Sequence, residues 1–276
     1  MSRLSGDLVR HKLATRVFGQ NVVYIEQIGS TNTELKTLAR QGAPEGLLYL
    51  TNEQLAGQGR LKGRKWVAPA GSSLLLSLLF KPTEVIAPNQ AQQLTMLCAL
   101  AMVNAVEIQT GLRPALKWPN DLLWQDGKKL GGILTELEIE DDRLIWTVVG
   151  VGLNVNLDFK EQSRLKGSSG NGGTPLFHTA TSLSMILGRD TSADRLPILQ
   201  RFLENVERRY ESLKQGKLFH QEWSQRLAGL GRPVTVSAPD KTYRGTMIGV
   251  DENGALLLRK SDGLVETIMA GDVTLY

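Results

Sequence analysis

A basic, glycine-rich run from Gln54 to Trp66 is the part of this sequence best suited to bind a charged ligand. It reads QLAGQGRLKGRKW, with three glycines among two arginines and two lysines. Glycine costs about 1 kcal/mol in a helix interior and weakens strands, which predicts a loop. Exposed backbone N–H groups beside fixed cations suit a polyanion, most simply phosphates. A plain basic surface turn is the alternative, but apolar runs at 47–51 and 73–80 favour binding, because strands on both sides would hold the loop.

A second candidate site follows a predicted strand, Val22 to Ile28. Thr31 and Glu34 have the spacing of a capping box, and apolar residues at helical spacing come after them. Helix capping is therefore one role for Ser30 and Thr31. Ligand binding is the other, since a helix N-terminus with spare hydroxyl groups can hold the polar head of a ligand.

Two further segments combine charged residues with turn residues or glycines. In Lys117 to Asp121, Pro119 predicts a strand end that leaves the last two residues at a turn, for which ordinary turn chemistry is the alternative. In Lys129 to Gly132, a lysine beside two glycines begins a predicted strand and allows a ligand to approach the backbone closely. Gly150 and Gly152 lie within another predicted strand and indicate that some group packs flat against it.

Together these four segments suit the adenylation of a carboxylic acid. The sequence shows no Ser-His-Asp or Cys-His arrangement and no Walker A motif. Adenylation brings together two anions, a carboxylate and the α-phosphate of ATP, so fixed cations must offset their repulsion and the charge of the transition state. The reaction needs no covalent enzyme nucleophile, and positioning supplies much of the rate. A basic loop, one carboxylate and one lysine are sufficient for it.

The elements that must position these segments indicate an α+β fold. Residues 91–108 and 196–213 carry apolar side chains at helical spacing, which predicts two long helices and places Cys98 in the core. A polar, glycine-rich segment from Asp158 to Thr174 predicts a mobile loop.

The C-terminal part of the chain has a different pattern. After Gly229 and Gly231 there are five short strand-like runs separated by turns such as Asn-Gly and Asp-Gly. This spacing predicts a small antiparallel barrel. We therefore divide the chain into a first domain, residues 1–229, and a small barrel, residues 230–276.

Composition narrows the class of protein. With 276 residues and 41% hydrophobic content, the chain can form one large domain with a small appendage. One cysteine and three dispersed histidines exclude a disulfide framework and give no zinc-site spacing. No long apolar segment follows the N-terminal charges, so we expect a cytoplasmic protein without a signal peptide or membrane association. A net charge of +4 favours an anionic small molecule or an acidic protein over extended nucleic-acid binding.

In their order along the chain, the motifs resemble those of biotin–protein ligases. They are STN at 30–32, the run 54–66, KWPND at 117–121, KLGG at 129–132 and GVGLN at 150–154. Any one is weak, but all five in this order are specific, and the resemblance extends from about Val22 to Tyr276. It implies an enzyme that forms biotinyl-5′-adenylate from biotin and ATP with Mg²⁺. The biotinyl group then passes to one lysine of a biotin carboxyl carrier protein, a subunit of acetyl-CoA carboxylase.

The resemblance also implies a fold and a role for each motif residue. The fold is a mixed β-sheet with flanking helices and an SH3-like barrel at the C-terminus. The expected catalytic residues are Lys129, Arg60 and Asp121, with Lys129 bridging the carboxylate and the α-phosphate, and Asp121 as the magnesium ligand. The expected biotin-binding residues are Ser30, Thr31, Asn32, Gln54, Gly57, Gln58, Gly59, Arg60, Lys129, Gly132 and Gly150. The expected ATP-binding residues are Arg60, Arg64, Trp66, Lys117, Asn120, Lys129 and Asn154, with Trp66 stacked on adenine and Asn154 hydrogen-bonded to it.

This sequence departs from the family pattern in the basic run. Gln58 stands where the family usually has arginine, and Leu61-Lys62 makes the run one residue longer, so Lys62 is a candidate for the missing charge. Some members carry an N-terminal helix-turn-helix that represses transcription. Residues 1–20 are too few for one, so we expect no DNA partner. The sequence leaves the oligomeric state open, with a homodimer among the alternatives.

Two other functions compete with this one. A lipoate or octanoate ligase on a related fold would activate a different acid, but the run around Arg60 and the segment Lys117 to Asp121 match the biotin pattern. A non-catalytic biotin or nucleotide sensor would have no need of Lys129 and Asp121 together.

Overall fold

Two β-sheets organise the structure, a computed structural model that describes residues 4–61, 63, 65–159, 176–188, 193–239 and 241–275. The strands of the large sheet are β1 (Val22–Ile28), β2 (Leu48–Gln58), β3 (Lys65–Ala68), β4 (Ser73–Phe80), β5 (Ala115–Lys117), β6 (Asp121–Leu123), β7 (Lys129–Glu140) and β8 (Arg143–Asn154). Those of the small sheet are β9 (Pro233–Ser237), β10 (Thr242–Val250), β11 (Leu256–Arg259), β12 (Val265–Ile268) and β13 (Asp272–Leu275). The α-helices are α1 (Gly6–Arg10), α2 (Thr31–Arg40), α3 (Gln92–Thr110), α4 (Leu176–Thr179), α5 (Leu183–Leu187), α6 (Arg195–Lys214) and α7 (His220–Gln225).

The large sheet has the strand order β1-β2-β4-β8-β7-β6-β5, with β3 added to β2. Strand β1 runs parallel to β2, and the other neighbours are antiparallel. All eight residues of β4 are buried, because helices cover both faces of the sheet at this strand. A strand that is buried on both faces needs no polar alternation, which explains its nearly continuous leucines.

Successive side chains of β4 point to opposite faces and join different cores. Leu76 and Leu78 belong to the main core, which they share with α3 and α6. Leu79 belongs to a smaller core under α2. Ser77 is therefore on the α2 side of the sheet, and it is fully buried there.

Helix α3 confirms the predicted core helix. It ends at Gly111, whose φ of 72° is the left-handed conformation that a helix-terminating glycine adopts easily. The segment Pro88–Thr110 is long and apolar enough to cross a membrane, but 78% of an 18-residue stretch within it is buried inside the protein, as expected of a core helix. Cys98 lies in this core, and burial raises the pKa of its thiol.

The five strands predicted after Gly231 are confirmed. They form an antiparallel sheet in the order β12-β11-β10-β9-β13. In the part of the chain that the structure describes, no ladder joins the edge strands β12 and β13, so closure into a barrel stays a prediction.

Two local predictions are wrong. The run from Gln54 to Trp66 is not a loop throughout, because β2 continues to Gln58 and pairs with β3 in a hairpin. A register shift between Gln54 and Gly57 accommodates the irregular residues, as β-bulges do. The capping box is also absent: Ser30 is the N-cap residue and makes no side-chain capping bond. The predicted mobile loop, residues 158–174, lies outside the described residues except for its first two.

Candidate active site

A cleft opens where the N-terminus of α2 meets the β2–β3 hairpin and the ends of β7 and β8. Its cavity volume is about 60 Å³. The residues that line it are Ser30, Thr31, Asn32, Gln54, Gln58, Gly59, Arg60, Trp66, Leu76, Asn120, Lys129, Gly132, Ile133, Leu134, Gly150, Val151 and Gly152. Most of the residues predicted from the sequence are therefore brought together in one place.

One end of the cleft is a hydrogen-bond network at the start of α2. Gln54 Oε1 accepts from the Thr31 backbone N–H at 2.9 Å and lies 3.1 Å from Thr31 Oγ1. Ser77 Oγ lies 2.7 Å from Thr31 Oγ1 and 2.6 Å from Asn32 Oδ1. The two hydroxyl groups have two hydrogens for these three oxygen–oxygen contacts, so one contact has no hydrogen of its own. A ligand that brings its own donor and acceptor would complete such a network.

The glycines of β8 make room for protein side chains. A methyl group on Gly150 would lie 2.1 Å from Asn32 Oδ1, and one on Gly152 would lie 2.7 Å from Trp66 Cε2. The group that packs flat against this strand is therefore the Trp66 indole, with Asn32 beside it. Both contacts are closer than real Cβ atoms show, so these two glycines set the positions of the two side chains.

Lys129 and Asp121 form an ion pair beside the cleft. Their Nζ and Oδ1 atoms are 2.6 Å apart, and the side chains are 37% and 22% exposed. Lys129 Nζ also lies 5.7 Å from the centroid of a Trp66 ring, within the range of a cation–π contact. A side chain at Gly132 would crowd this pair, because its Cβ would lie 3.1 Å from Lys129 Nζ.

The indole N–H of Trp66 is buried and has no hydrogen-bond acceptor among the described residues. An indole nitrogen can only donate, so a ligand with an acceptor atom would satisfy it. The aromatic face and the unpaired donor together suit a flat heteroaromatic group beside Trp66.

Arg60 lies at the tip of the β2–β3 hairpin and reaches the small sheet. Its Nη2 donates to the carbonyl of Gly271, just before β13, at 2.7 Å. The guanidinium thus contacts the C-terminal sheet while Arg60 also lines the cleft.

The segment Lys117 to Asp121 contacts both the small sheet and the cleft. Lys117 pairs with Asp272 at 3.0 Å, and the Trp118 indole N–H donates to the Gly254 carbonyl at 2.9 Å, so both residues hold the small sheet. Asn120 lines the cleft, and its Nδ2 donates to the Ile133 carbonyl at 2.6 Å. The cis peptide bond between Trp118 and Pro119 lies where the segment changes direction.

Several predicted residues do not line the cleft directly. Gly57, Lys117, Asp121 and Asn154 are absent from its lining, and Arg64 and Lys62 lie outside the described residues. Asn154 is buried, and its Nδ2 donates to the Thr181 carbonyl at 3.0 Å. The Thr181 backbone N–H donates in turn to the Lys129 carbonyl at 2.9 Å.

Sequence reasoning missed the residues behind the cleft. Ser77 and Glu136 both contact Asn32. Ser77 had a visible signal, since it is a lone polar residue inside a run of buried leucines. Glu136 had no such signal in the sequence, because it is one of several charged residues at the end of β7.

Asp121 is the candidate metal ligand. Among the described residues, no group of three or more His, Cys, Asp or Glu side chains is arranged to hold a metal ion. A single carboxylate nevertheless fits Mg²⁺, which keeps several waters and is bound through one or two carboxylates together with substrate phosphates. The role of Asp121 as this ligand stays a prediction.

Comparisons with known proteins agree with this site. The model of the biotin/lipoate A/B protein ligase family matches residues 24–154, and the model of the biotin protein ligase C-terminal domain matches residues 229–276. The bifunctional ligase/repressor BirA of Bacillus subtilis is 34% identical over 281 residues, which cover 99% of this chain and 79% of that protein. The biotin--[acetyl-CoA-carboxylase] ligase of Paracoccus denitrificans is 32% identical over 241 residues, 85% of this chain and 92% of that protein. The chain belongs to the biotin protein ligase family.

The solved structures lead to the same family. A biotin protein ligase from Aquifex aeolicus in complex with biotin and ATP is 26% identical, with a TM-score of 0.72 over 92% of this chain and 98% of that one. The C-terminal match is to a domain named for biotin protein ligases, which favours biotin over the lipoate alternative. The predicted α+β fold, the ligase class and the use of biotin and ATP are thereby confirmed. The roles of individual residues, the homodimer, the cytoplasmic location and the absence of DNA binding stay predictions.

Proposed function

We propose that this chain joins biotin to ATP as biotinyl-5′-adenylate and passes the biotinyl group to a lysine of the biotin carboxyl carrier protein of acetyl-CoA carboxylase. The observation that carries the proposal is the arrangement of the cleft. A polar network at the start of α2, the Lys129–Asp121 pair and an indole with an unpaired donor meet there, and Lys129 Nζ lies 5.7 Å from a Trp66 ring centroid. These three groups suit, in turn, the ureido ring of biotin, the reacting carboxylate and phosphate, and adenine.

The network at the start of α2 would hold the ureido ring. Ser30, Thr31 and Gln54 would contact its polar atoms, and Asn32 would contribute an amide oxygen. Gly150 leaves the space in which Asn32 stands, so its role is to seat that side chain. The apolar lining beyond the network, which includes Leu76 and Val151, suits the ring carbons and the aliphatic chain of biotin.

In the first half-reaction, a carboxylate oxygen of biotin attacks the α-phosphorus of ATP, and the bond to the pyrophosphate leaving group breaks. Lys129 would bridge the attacking and receiving anions, which requires its ammonium to turn from Asp121 toward them. Asp121 would then be free to contact the Mg²⁺ that accompanies the phosphates. A preorganised cation at this point acts on charge that develops in the transition state.

The hairpin tip would enclose the reacting atoms. Gln58, Gly59 and Arg60 line the cleft there, and Gly57 holds the strand close to Trp66, since its Cβ would lie 2.8 Å from the Trp66 carbonyl. Trp66 would stack on adenine. Asn120, Asn154, Lys117 and Arg64 would complete the nucleotide site.

In the second half-reaction, the ε-amine of the carrier lysine attacks the acyl carbon of the adenylate, and AMP leaves. An enclosed adenylate is protected from water until the carrier arrives. A pure sensor would not need the lysine–carboxylate pair.

We also infer that the chain divides near Gly229 into a catalytic domain, 1–229, and a C-terminal domain, 230–276. The separation of the two sheets supports this division. The cytoplasm is the expected location, a homodimer is a candidate assembly, and size-exclusion chromatography with light scattering would measure its mass.

Mass spectrometry of a carrier domain incubated with the protein, biotin and MgATP tests the proposed function. We expect one added biotinyl group on a single lysine, with release of pyrophosphate. The matched control replaces biotin with lipoate, which we expect neither to label the carrier nor to raise the melting temperature as biotin does. A carrier of unchanged mass, or equal use of lipoate, would contradict the proposal.

A further inference from the structure

Glu136, on β7, lies behind the polar end of the cleft and contacts the asparagine that lines it. Asn32 Nδ2 donates to Glu136 Oε2 at 2.8 Å and to the Leu134 carbonyl at 3.1 Å. Asn32 Oδ1 accepts from Ser77 Oγ at 2.6 Å. Both amide hydrogens of Asn32 are therefore used, and its oxygen has one acceptor position left.

These contacts decide which atom of the Asn32 amide faces Gly150 and the cleft. If the amide turned over, its oxygen would face the Leu134 carbonyl and the Glu136 carboxylate, which are both acceptors. Placing acceptors against each other in a partly buried site is unfavourable. Asn32 therefore presents an oxygen, and a ligand at this position must bring an N–H or O–H donor.

Lys36 holds Glu136 in this position. Its ammonium pairs with the other carboxylate oxygen, and the two side chains are 23% and 27% exposed. Lys36 lies one helical turn after Asn32 on α2. The Glu136 carboxylate therefore joins both Asn32 and Lys36 to β7.

A second ion pair joins the same two elements farther from the cleft. Arg40 Nε lies 3.2 Å from Glu138 Oε2, and these side chains are 59% and 42% exposed. Glu138 pairs with α2 much as Glu136 does, but its side-chain partner is Arg40, which does not line the cleft. Glu138 is therefore a matched control for a purely structural effect of linking α2 to β7.

We propose that Glu136 is a positioning residue for the ureido ring of biotin. It acts through Asn32, by keeping the amide oxygen turned toward a ureido N–H. This inference rests on the proposed function, since it takes biotin as the ligand of the network at the start of α2. It extends the site to a residue that does not touch the ligand.

The test compares Glu136→Ala and Glu136→Gln with Glu138→Ala and Glu138→Gln. Biotin affinity is measured by calorimetry, and KM for ATP by pyrophosphate release. We expect Glu136→Ala to weaken biotin binding about 10- to 100-fold, the effect typical of losing a hydrogen bond to a charged group, while KM for ATP is unchanged. Glu136→Gln should lose less, because glutamine keeps an acceptor oxygen. Both Glu138 variants should bind biotin as the wild type does.

Repeating Glu136→Ala in an Asn32→Ala background separates positioning from a general loss of stability. If Glu136 acts through Asn32, the second substitution has no further effect on biotin affinity. The proposal is overturned if Glu136→Ala binds biotin normally, if it weakens binding equally without Asn32, or if Glu138→Ala has the same effect. Should circular dichroism show that Glu136→Ala is unfolded, Glu136→Gln replaces it in the same cycle.

Biotin binding and carrier labelling by the wild-type protein show whether a negative result contradicts the proposed function or only the role of Glu136. A wild type that neither binds biotin nor labels the carrier contradicts the function itself. A wild type that does both, with Glu136 variants that behave like the Glu138 variants, contradicts only the role of Glu136.

Discussion

Gly150 and Gly152 should allow the proposed biotin and ATP contacts of the cleft to be impaired separately, by one methyl group each. Both lie on the same face of β8, two residues apart, and neither has the positive φ that would strain an alanine. Gly150→Ala would place a carbon 2.1 Å from Asn32 Oδ1, and Gly152→Ala would place one 2.7 Å from Trp66 Cε2. Each side chain must move by roughly an ångström to restore ordinary contact.

The size of each effect follows from what the displaced side chain does. Asn32 would leave a position fixed by bonds to Leu134, Glu136 and Ser77, and with it the contact to biotin. A ligand bond of this kind contributes about 1–3 kcal/mol, so Gly150→Ala should raise the Kd for biotin by roughly 10- to 100-fold. Stacking of a base on an aromatic ring contributes about 1–3 kcal/mol, so Gly152→Ala should raise KM for ATP by a similar factor.

Calorimetry with biotin alone and pyrophosphate release at varied ATP would measure the two effects. Each variant serves as the other's control, because both add the same methyl group to the same strand. We expect Gly150→Ala to change mainly biotin binding and Gly152→Ala to change mainly KM for ATP. The reasoning would be refuted if both variants raised both constants alike, or if Gly150→Ala affected ATP and spared biotin.

Three further predictions concern the reaction itself. Lys129→Ala should stay folded and slow pyrophosphate release by about 10²–10³-fold, the usual cost of one preorganised charge contact, and a near-native rate would remove Lys129 from the mechanism. Arg60→Gly should still form adenylate but release it, so that serum albumin incubated with biotin and MgATP becomes labelled and is detected with streptavidin. If the variant makes adenylate and albumin stays unlabelled, Arg60 does not retain the intermediate. Hydrogen exchange in residues 59–64 and 158–174 should slow when biotin and ATP bind, because an anion draws in a glycine-rich basic segment, and equal protection with and without ligands would contradict this.

Most helices and strands, and the family, could be predicted from the amino-acid sequence. Helix α3 was predictable because it is apolar over most of its length, and residues 93–103 are all buried. The strands of the small sheet were predictable from their short alternating runs and the turn residues between them. The order of the five motifs was sufficient to indicate biotin protein ligases, and most of their residues do meet in one cleft. Local patterns were less reliable where tertiary pairing competes with propensity. Residues 54–58 look like a loop but pair with β3. Thr31 looks like a capping residue, but its hydroxyl donates to Gln54 Oε1 and accepts from Ser77 Oγ.

The residues behind the cleft could be identified only from the three-dimensional structure. The contact between Asn32 and Glu136 joins residues 104 positions apart, and that between Arg60 and Gly271 joins residues 211 apart. Such contacts depend on strand order and register, which side-chain periodicity does not encode. The same reason explains the two roles of Lys117 to Asp121, whose first residues hold the small sheet while Asn120 faces the cleft. It also explains why the glycines of β8 could be noticed in the sequence, whereas the side chains that they accommodate could not be named.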